Sequence, residues 1–187
     1  LVASGVGLVV IEFNGTNHQV LGYFGDGTRF GCRLSYVVQE GGGTEPASTS
    51  PGLAHALDSA YHLVRGRTVC FGMADTIMEP RDVFARAQAS AEAEDDVVLV
   101  LFPTTRPEKF GMVRVDEARY VRQVVDKPRE TDLTLMWGCI IWRPRFTEHL
   151  HDCVRRRGVS DFAQILNDAI AEGLTVRAYP VSDGSYL

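Results

Sequence analysis

No stretch of this sequence approaches the ~20 consecutive apolar residues that a membrane-spanning helix needs. The opening segment, Leu1 to Val10, is apolar but broken by Ser4 and Gly5, and it lacks the basic flank and cleavage pattern of a secretory leader. Cysteine is sparse: Cys32, Cys70, Cys139 and Cys153 are far apart, and none forms a C-x-x-C pair. Such spacing argues against zinc and against a disulfide framework. Three of the four sit in apolar runs, where a free thiol behaves as a small buried hydrophobe, so a reduced, cytoplasmic protein is expected. Positive charge has no surplus either. The net charge is -5 with both signs spread along the chain, which speaks against a nucleic-acid or anionic-membrane surface. There is no internal repeat and no linker between domains.

What is present is a chain of 187 residues, 45% apolar, enough for one domain with a real core. Leu8 to Phe13 is a β-branched run ended by Asn14-Gly15, and Arg33 to Gln39 is a second strand. A short helix through His18 to Leu21 lies between them. Glu40 to Ser50, with its triple glycine, is expected to be a loop, either a surface insertion or a lid. Leu53, Ala56, Leu57, Ala60, Tyr61 and Val64 then follow at helical spacing. Thr68 to Met73 and the wholly apolar Val97 to Phe102 are strands, with a helix over Asp82 to Glu94 between them. Three extended pieces follow: Gly111 to Val115, Tyr120 to Val125 and Leu135 to Trp142. Helices at Arg145 to Arg156 and Asp161 to Glu172 and a strand at Leu174 to Tyr179 complete the order. Strands alternating with helices predict an α/β fold. Its sheet should be mixed, mostly parallel and flanked by helices.

In open α/β sheets the ligand crevice lies outside the carboxyl ends of strands. Asp75 follows such an end. Its carboxylate suits Mg²⁺, which takes one or two carboxylates plus substrate phosphates, and it equally suits a plain turn. Lys127, between Asp126 and Pro128, can aim an ammonium at a phosphate or simply be a solvated strand-end lysine. Gln39 ends a strand and can read a base edge or sit in a surface loop. His149 and His151 are two apart on a helix and face different ways, so they make a poor metal pair.

Several short segments, taken in order, resemble one family. Phe24-Gly25-Asp26-Gly27 with Phe30-Gly31 is similar to a Gly-Asp-Gly, aromatic-Gly segment. Tyr36-Val37-Val38-Gln39 with Gly52-Leu53-Ala54-His55-Ala56 resembles a base-binding segment. Met73-Ala74-Asp75-Thr76 stands for Gly-Asp-Asn, and Phe110-Gly111-Met112-Val113 for an aromatic-Gly-Val-Val sugar contact. Asp126-Lys127-Pro128 stands for Glu-Lys-Pro, and Trp137-Gly138 for Thr-Gly. Their order over the whole chain resembles the sugar-phosphate nucleotidyltransferases, the glucose-1-phosphate thymidylyltransferases in particular.

The resemblance implies a Rossmann-like nucleotidyltransferase fold over residues 1–187 as a single domain, truncated at both ends. It implies transfer of a nucleotidyl group from a nucleoside triphosphate to a sugar 1-phosphate. Mg²⁺ would sit on Asp75, the base on Gln39 and Gly52, and the sugar on Gly111 and Asp126 beside Gly138. Lys127 would hold the sugar phosphate as the catalytic cation. The family's Gly-rich catalytic loop with its arginine is not in this sequence, nor is its Asp-x-Gly-Thr metal motif. Ala74 replaces a glycine, Thr76 an asparagine, and Asp126 a glutamate one methylene longer. Activity is therefore expected to be impaired or lost. The alternative is a non-catalytic binder of nucleotides or sugar nucleotides, or a partner subunit. A sheet without its first strand should expose an edge, which predicts a homo-oligomer. A metal-dependent glycosyltransferase ranks last, since no clear Asp-x-Asp motif is present.

Overall fold

A computed structural model describes residues 5–14, 18–39 and 52–187. The loop expected over Glu40 to Ser50 lies outside them. Strand β1 (Leu8–Asn14), helix α1 (His18–Phe24) and strand β2 (Arg33–Gln39) come first. Next are α2 (Leu53–Ser59), α3 (Tyr61–Val64), β3 (Val69–Gly72), β4 (Met78–Glu79) and α4 (Val83–Ser90). The second half holds β5 (Val97–Pro103), β6 (Gly111–Val115), β7 (Val121–Asp126) and β8 (Leu135–Trp142). Helices α5 (Pro144–Arg155) and α6 (Phe162–Ala171) lead to β9 (Val176–Pro180) and β10 (Ser185–Tyr186).

The single helix expected from Leu53 to Val64 is two, broken at Ala60, where ψ reaches 0°. The Ser59 hydroxyl donates back to the Ala56 carbonyl at 2.7 Å, a local bond that competes with helix continuation. The helix ahead of β5 stops at Ser90, earlier than its apolar spacing predicts, because Ala91 turns extended. Asp161 caps α6, accepting from the backbone N–H of Ala163 and Gln164.

The main sheet runs β7-β6-β8-β5-β9, with β3 also on β8. Its mixed character matches the sequence reading, but the expected parallel majority does not. Among the described residues five of the seven strand pairings are antiparallel, and β1–β2 and β5–β9 run parallel. The cause is β8, which runs against β3, β5 and β6. Alternate residues of β5 feed the two faces. Val97, Leu99 and Leu101 pack with α5 and α6 residues such as Phe146, Ile165 and Leu166. Val98, Val100 and Phe102 pack with Val83 and Phe84 of α4. Covered on both faces, β5 can be wholly apolar.

The outer edge of β7 is blunted by Asn167, whose amide donates to the Val124 carbonyl and accepts from the Val124 N–H, both at 2.8 Å. Among the described residues β1 pairs only with β2, and β3 only with β8.

Burial predicts thiol behaviour. Cys139 is fully buried, and desolvation pushes its thiol up to about 12, so almost no thiolate forms at neutral pH. Burial also raises Cys70 and Cys153. A maleimide at pH 7 should therefore label half-buried Cys32 first and leave Cys139 and Cys153 unmodified until the chain unfolds. Peptide mapping by mass spectrometry checks this, and early labelling of Cys139 would contradict the packing.

Candidate functional site

The bed of the site is one edge of β8. Strand β3 occupies its later half, with Gly72 opposite Cys139. Strand β6 occupies the start, with Met112 opposite Met136. The end of β3 and the beginning of β6 thus approach the same stretch, Trp137-Gly138. On the other edge β5 pairs Val100 with Cys139 and then Leu101 with Trp137, so Gly138 is a bulge residue with no partner of its own.

Gly138 has no room for a side chain. A Cβ there would lie 2.6 Å from the Tyr186 ring and 2.7 Å from the Phe102 ring. Tyr186 is the hub of this end of the molecule. Its ring meets Phe102 at 5.6 Å and Phe110 edge-on at 6.0 Å. Its hydroxyl lies 3.3 Å from Thr76 Oγ1, which sits 3.4 Å from the Asp75 carboxylate. Backbone bonds between Ile77 and Leu187, at 2.8 and 3.0 Å, clamp the loop after β3 to the strand that carries Tyr186.

From Phe110 the contacts continue to the second motif. Its carbonyl accepts the Lys127 N–H at 3.0 Å. Gly111 pairs in register with Asp126 across β6 and β7. On its other flank the Trp137 indole closes over Gly111, so an added Cβ would fall hard against Nε1 and 2.9 Å from Cδ1. Trp137 packs on Phe162 at the start of α6, at 5.7 Å. Two residues before Phe162, the Ser160 carbonyl lies 3.3 Å from where a Gly52 Cβ would be. Gly52 opens α2, its carbonyl accepting from the His55 and Ala56 N–H groups.

Asp75, Gly111, Asp126, Lys127 and Gly138 are therefore linked through Tyr186, Phe110 and Trp137, and Gly52 joins through Ser160 and Phe162. Gln39 ends β2, on the separate two-stranded sheet. Asp75, Asp126 and Lys127 are exposed. Lys127 holds φ at 44°, a left-handed conformation that costs an L-residue roughly 1–2 kcal/mol. The loop after it is held by Arg114 on β6, which pairs with Asp132 at 3.0 Å and keeps that carboxyl below its ordinary range.

The sequence reading missed Tyr186, Phe102 and Phe162. The pairing of a bulge glycine with two facing rings has no local sequence signal. It also missed Glu12, whose carboxyl is pushed up by burial, and His55 on α2. Glu12 Oε1 and His55 Nδ1 are buried with no partner among the described residues.

As to metal, no group of three His, Cys, Asp or Glu side chains among the described residues could hold an ion. An Mg²⁺ carried by substrate phosphates needs as little as one carboxylate. Asp75 fits that single role and no more.

The family model for nucleotidyl transferases matches residues 1–184. The chain belongs to the nucleotidyl transferase family. It is 22% identical over 166 residues to the low-salt glycan biosynthesis nucleotidyltransferase Agl11 of Haloferax volcanii, covering 87% of this chain and 44% of that protein. It is 26% identical over 106 residues to a glucose-1-phosphate thymidylyltransferase of Neisseria gonorrhoeae, covering 57% of this chain and 34% of the relative. The chain thus spans less than half the length of these curated relatives. A Bacillus anthracis structure, provisionally named a glucose-1-phosphate thymidylyltransferase and complexed with a sucrose, superposes with a TM-score of 0.78 at 18% identity. That match covers 95% of this chain and 68% of the other. A UTP-bound UGPase of Acinetobacter baumannii gives 0.73 at 13% identity, covering 100% and 73%. At these identities the structural likeness establishes the α/β nucleotidyltransferase fold.

Proposed function

We propose that this chain forms the sugar- and base-binding part of a sugar-1-phosphate nucleotidyltransferase. Transfer itself is impaired or lost in the chain as it stands. The observation that carries the reading is the convergence of Asp75, Gly111, Asp126, Lys127 and Gly138 on one end of β8, around Tyr186. Lys127 binds the phosphate of the sugar phosphate. Asp126 and the backbone of Gly111 hold sugar hydroxyls, with Gly138 shaping the floor. Gln39 and the Gly52 turn receive the base. When bound, Mg²⁺ would neutralise phosphate charge, and Asp75 would be its protein carboxylate. Nucleotidyl transfer depends mostly on positioning and charge neutralisation. Ala74, Thr76 and Asp126 depart from the residues that the resemblance calls for, which favours binding over turnover.

Pyrophosphate release from a nucleoside triphosphate and glucose 1-phosphate should be at background. A sugar nucleotide at ~100 times its dissociation constant should nevertheless raise stability by about 2.7 kcal/mol in a thermal melt. A flat melt across dTDP-, UDP-, ADP- and GDP-sugars would remove the reading.

A homo-oligomer and a cytoplasmic setting belong to the same proposal. Edges of β1 and β3 that are unpaired among the described residues, and exposed Ile77, support the first. For the second, no helix among the described residues is long and apolar enough to cross a membrane. Light scattering that gives a monomer mass would contradict self-association.

A further inference from the structure

Trp137 is half-buried on β8, unlike Trp142, the other of the two tryptophans, which is 3% exposed. The Trp142 indole N–H has a partner, donating to Thr147 Oγ1 at 2.9 Å. The Trp137 indole N–H has none among the described residues, and it is not a buried orphan. Its ring is fixed on three sides: by β8, by Phe162 and by Gly111. The edge turned toward Gly111 is the nitrogen edge, since Nε1 comes nearest to the position of a Cβ there.

Register places the rest. Asp126 lies opposite Gly111 in β7, and Val124 lies opposite Val113, which packs in the same core layer as Trp137. Residues two apart on a strand share a face. Asp126, Gly111 and Trp137 therefore form a row across three strands on one face, with the middle side chain missing. Asp126 is exposed, with no hydrogen bond or ion pair among the described residues. A donor lying over Gly111 and an acceptor one strand away, each without a partner among the described residues, thus stand side by side. A hydroxyl suits that arrangement, because it accepts from one neighbour and donates to the other.

We propose that Trp137 is a specificity-determining residue: its indole Nε1–H donates to a hydroxyl of the bound sugar whose proton goes to Asp126. The inference rests on the sugar-nucleotide reading given above. It adds that discrimination of the sugar comes from an indole fixed by Phe162. It also explains why position 111 admits only glycine, since any side chain would displace the donor.

The test compares Trp137→Phe with wild type by calorimetry. The first ligand is whichever of dTDP-glucose, UDP-glucose, ADP-glucose and GDP-mannose binds wild type most tightly. The second is the matching nucleoside diphosphate without sugar. The variant keeps a ring on Phe162 and loses only the donor. Affinity for the sugar nucleotide should fall about 3- to 10-fold, the range for one lost neutral hydrogen bond, with the nucleoside diphosphate unchanged. Equal loss for both ligands, or loss for neither, would overturn the role of Trp137 while leaving the sugar-nucleotide reading intact. Failure of wild type to bind any sugar nucleotide would end both. Wild-type fluorescence gives a second measure without a substitution. Emission should change when the sugar nucleotide binds and stay constant with the nucleoside diphosphate, and an unchanged spectrum with the sugar nucleotide would contradict the contact.

Discussion

Replacing Phe102 with alanine is expected to destabilise the chain by about 3–5 kcal/mol, the usual cost of emptying a fully buried phenylalanine site. Phe102 is 0% exposed and lies under Gly138 and against Tyr186 and Gly184. The cavity cannot collapse easily, because Gly138 has no side chain to move into it and Tyr186 is tied by β10 to β4. At roughly 2–4 °C per kcal/mol for a chain of this size, the melting temperature should fall by about 10 °C. The damage should also reach the site, since Tyr186 loses a ring that supports it. Calorimetric melting of Phe102→Ala and Phe102→Leu checks this, with the leucine variant losing markedly less. Equal melting of wild type and Phe102→Ala would mean that this layer is not packed as described.

The second large effect separates stability from binding. Lys127→Gly should hold or raise the melting temperature, because glycine adopts a φ of 44° without the strain that lysine bears. The same change removes the exposed ammonium at the end of β7. If Lys127 meets a phosphate, affinity for a sugar nucleotide should drop by about 10- to 100-fold, matching roughly 1.5–3 kcal/mol for a charge-assisted hydrogen bond. Lys127→Ala should lose the same affinity and keep the strain. A strained residue whose side chain makes no ion pair among the described residues fits a ligand-binding position. Isothermal titration and melting of the two variants side by side distinguish the effects. A variant that binds as wild type does would show that the strain serves the fold alone.

Much of the architecture was readable from residues alone. Val97 to Phe102, apolar at every position, is the most buried strand, and Asp161 caps its helix as its side chain suggests. Strand direction was not readable. The β8 sequence, Leu135 to Trp142, is as apolar as a parallel strand, because it too is covered on both faces. Burial sets composition whichever way the neighbours run. The break at Ala60 escaped because apolar spacing continues from Leu57 into Tyr61 and Val64 across it.

The candidate site was half legible. Asp75, Gly111, Asp126, Lys127 and Gly138 were visible as short motifs in a particular order. What joins them was not, since Tyr186 meets Gly138 and Thr76 only in three dimensions. The indole over Gly111 likewise depends on the register of β6 against β8, which pattern does not encode. Gln39 and Gly52 flank the segment from 40 to 51, outside the described residues, and Gly52 joins the contacts around β8 through Ser160.

The most direct test of the account is backbone amide mapping by nuclear magnetic resonance during titration with a sugar nucleotide. The largest shifts should fall at Asp75 to Ile77, Phe110 to Met112, Asp126 and Lys127, Trp137 and Gly138, and Tyr186. Amides at the opposite end of the sheet, at Asp95, Asp96 and Thr175, should stay still. Shifts confined to that far end, or scattered without relation to β8, would contradict the site.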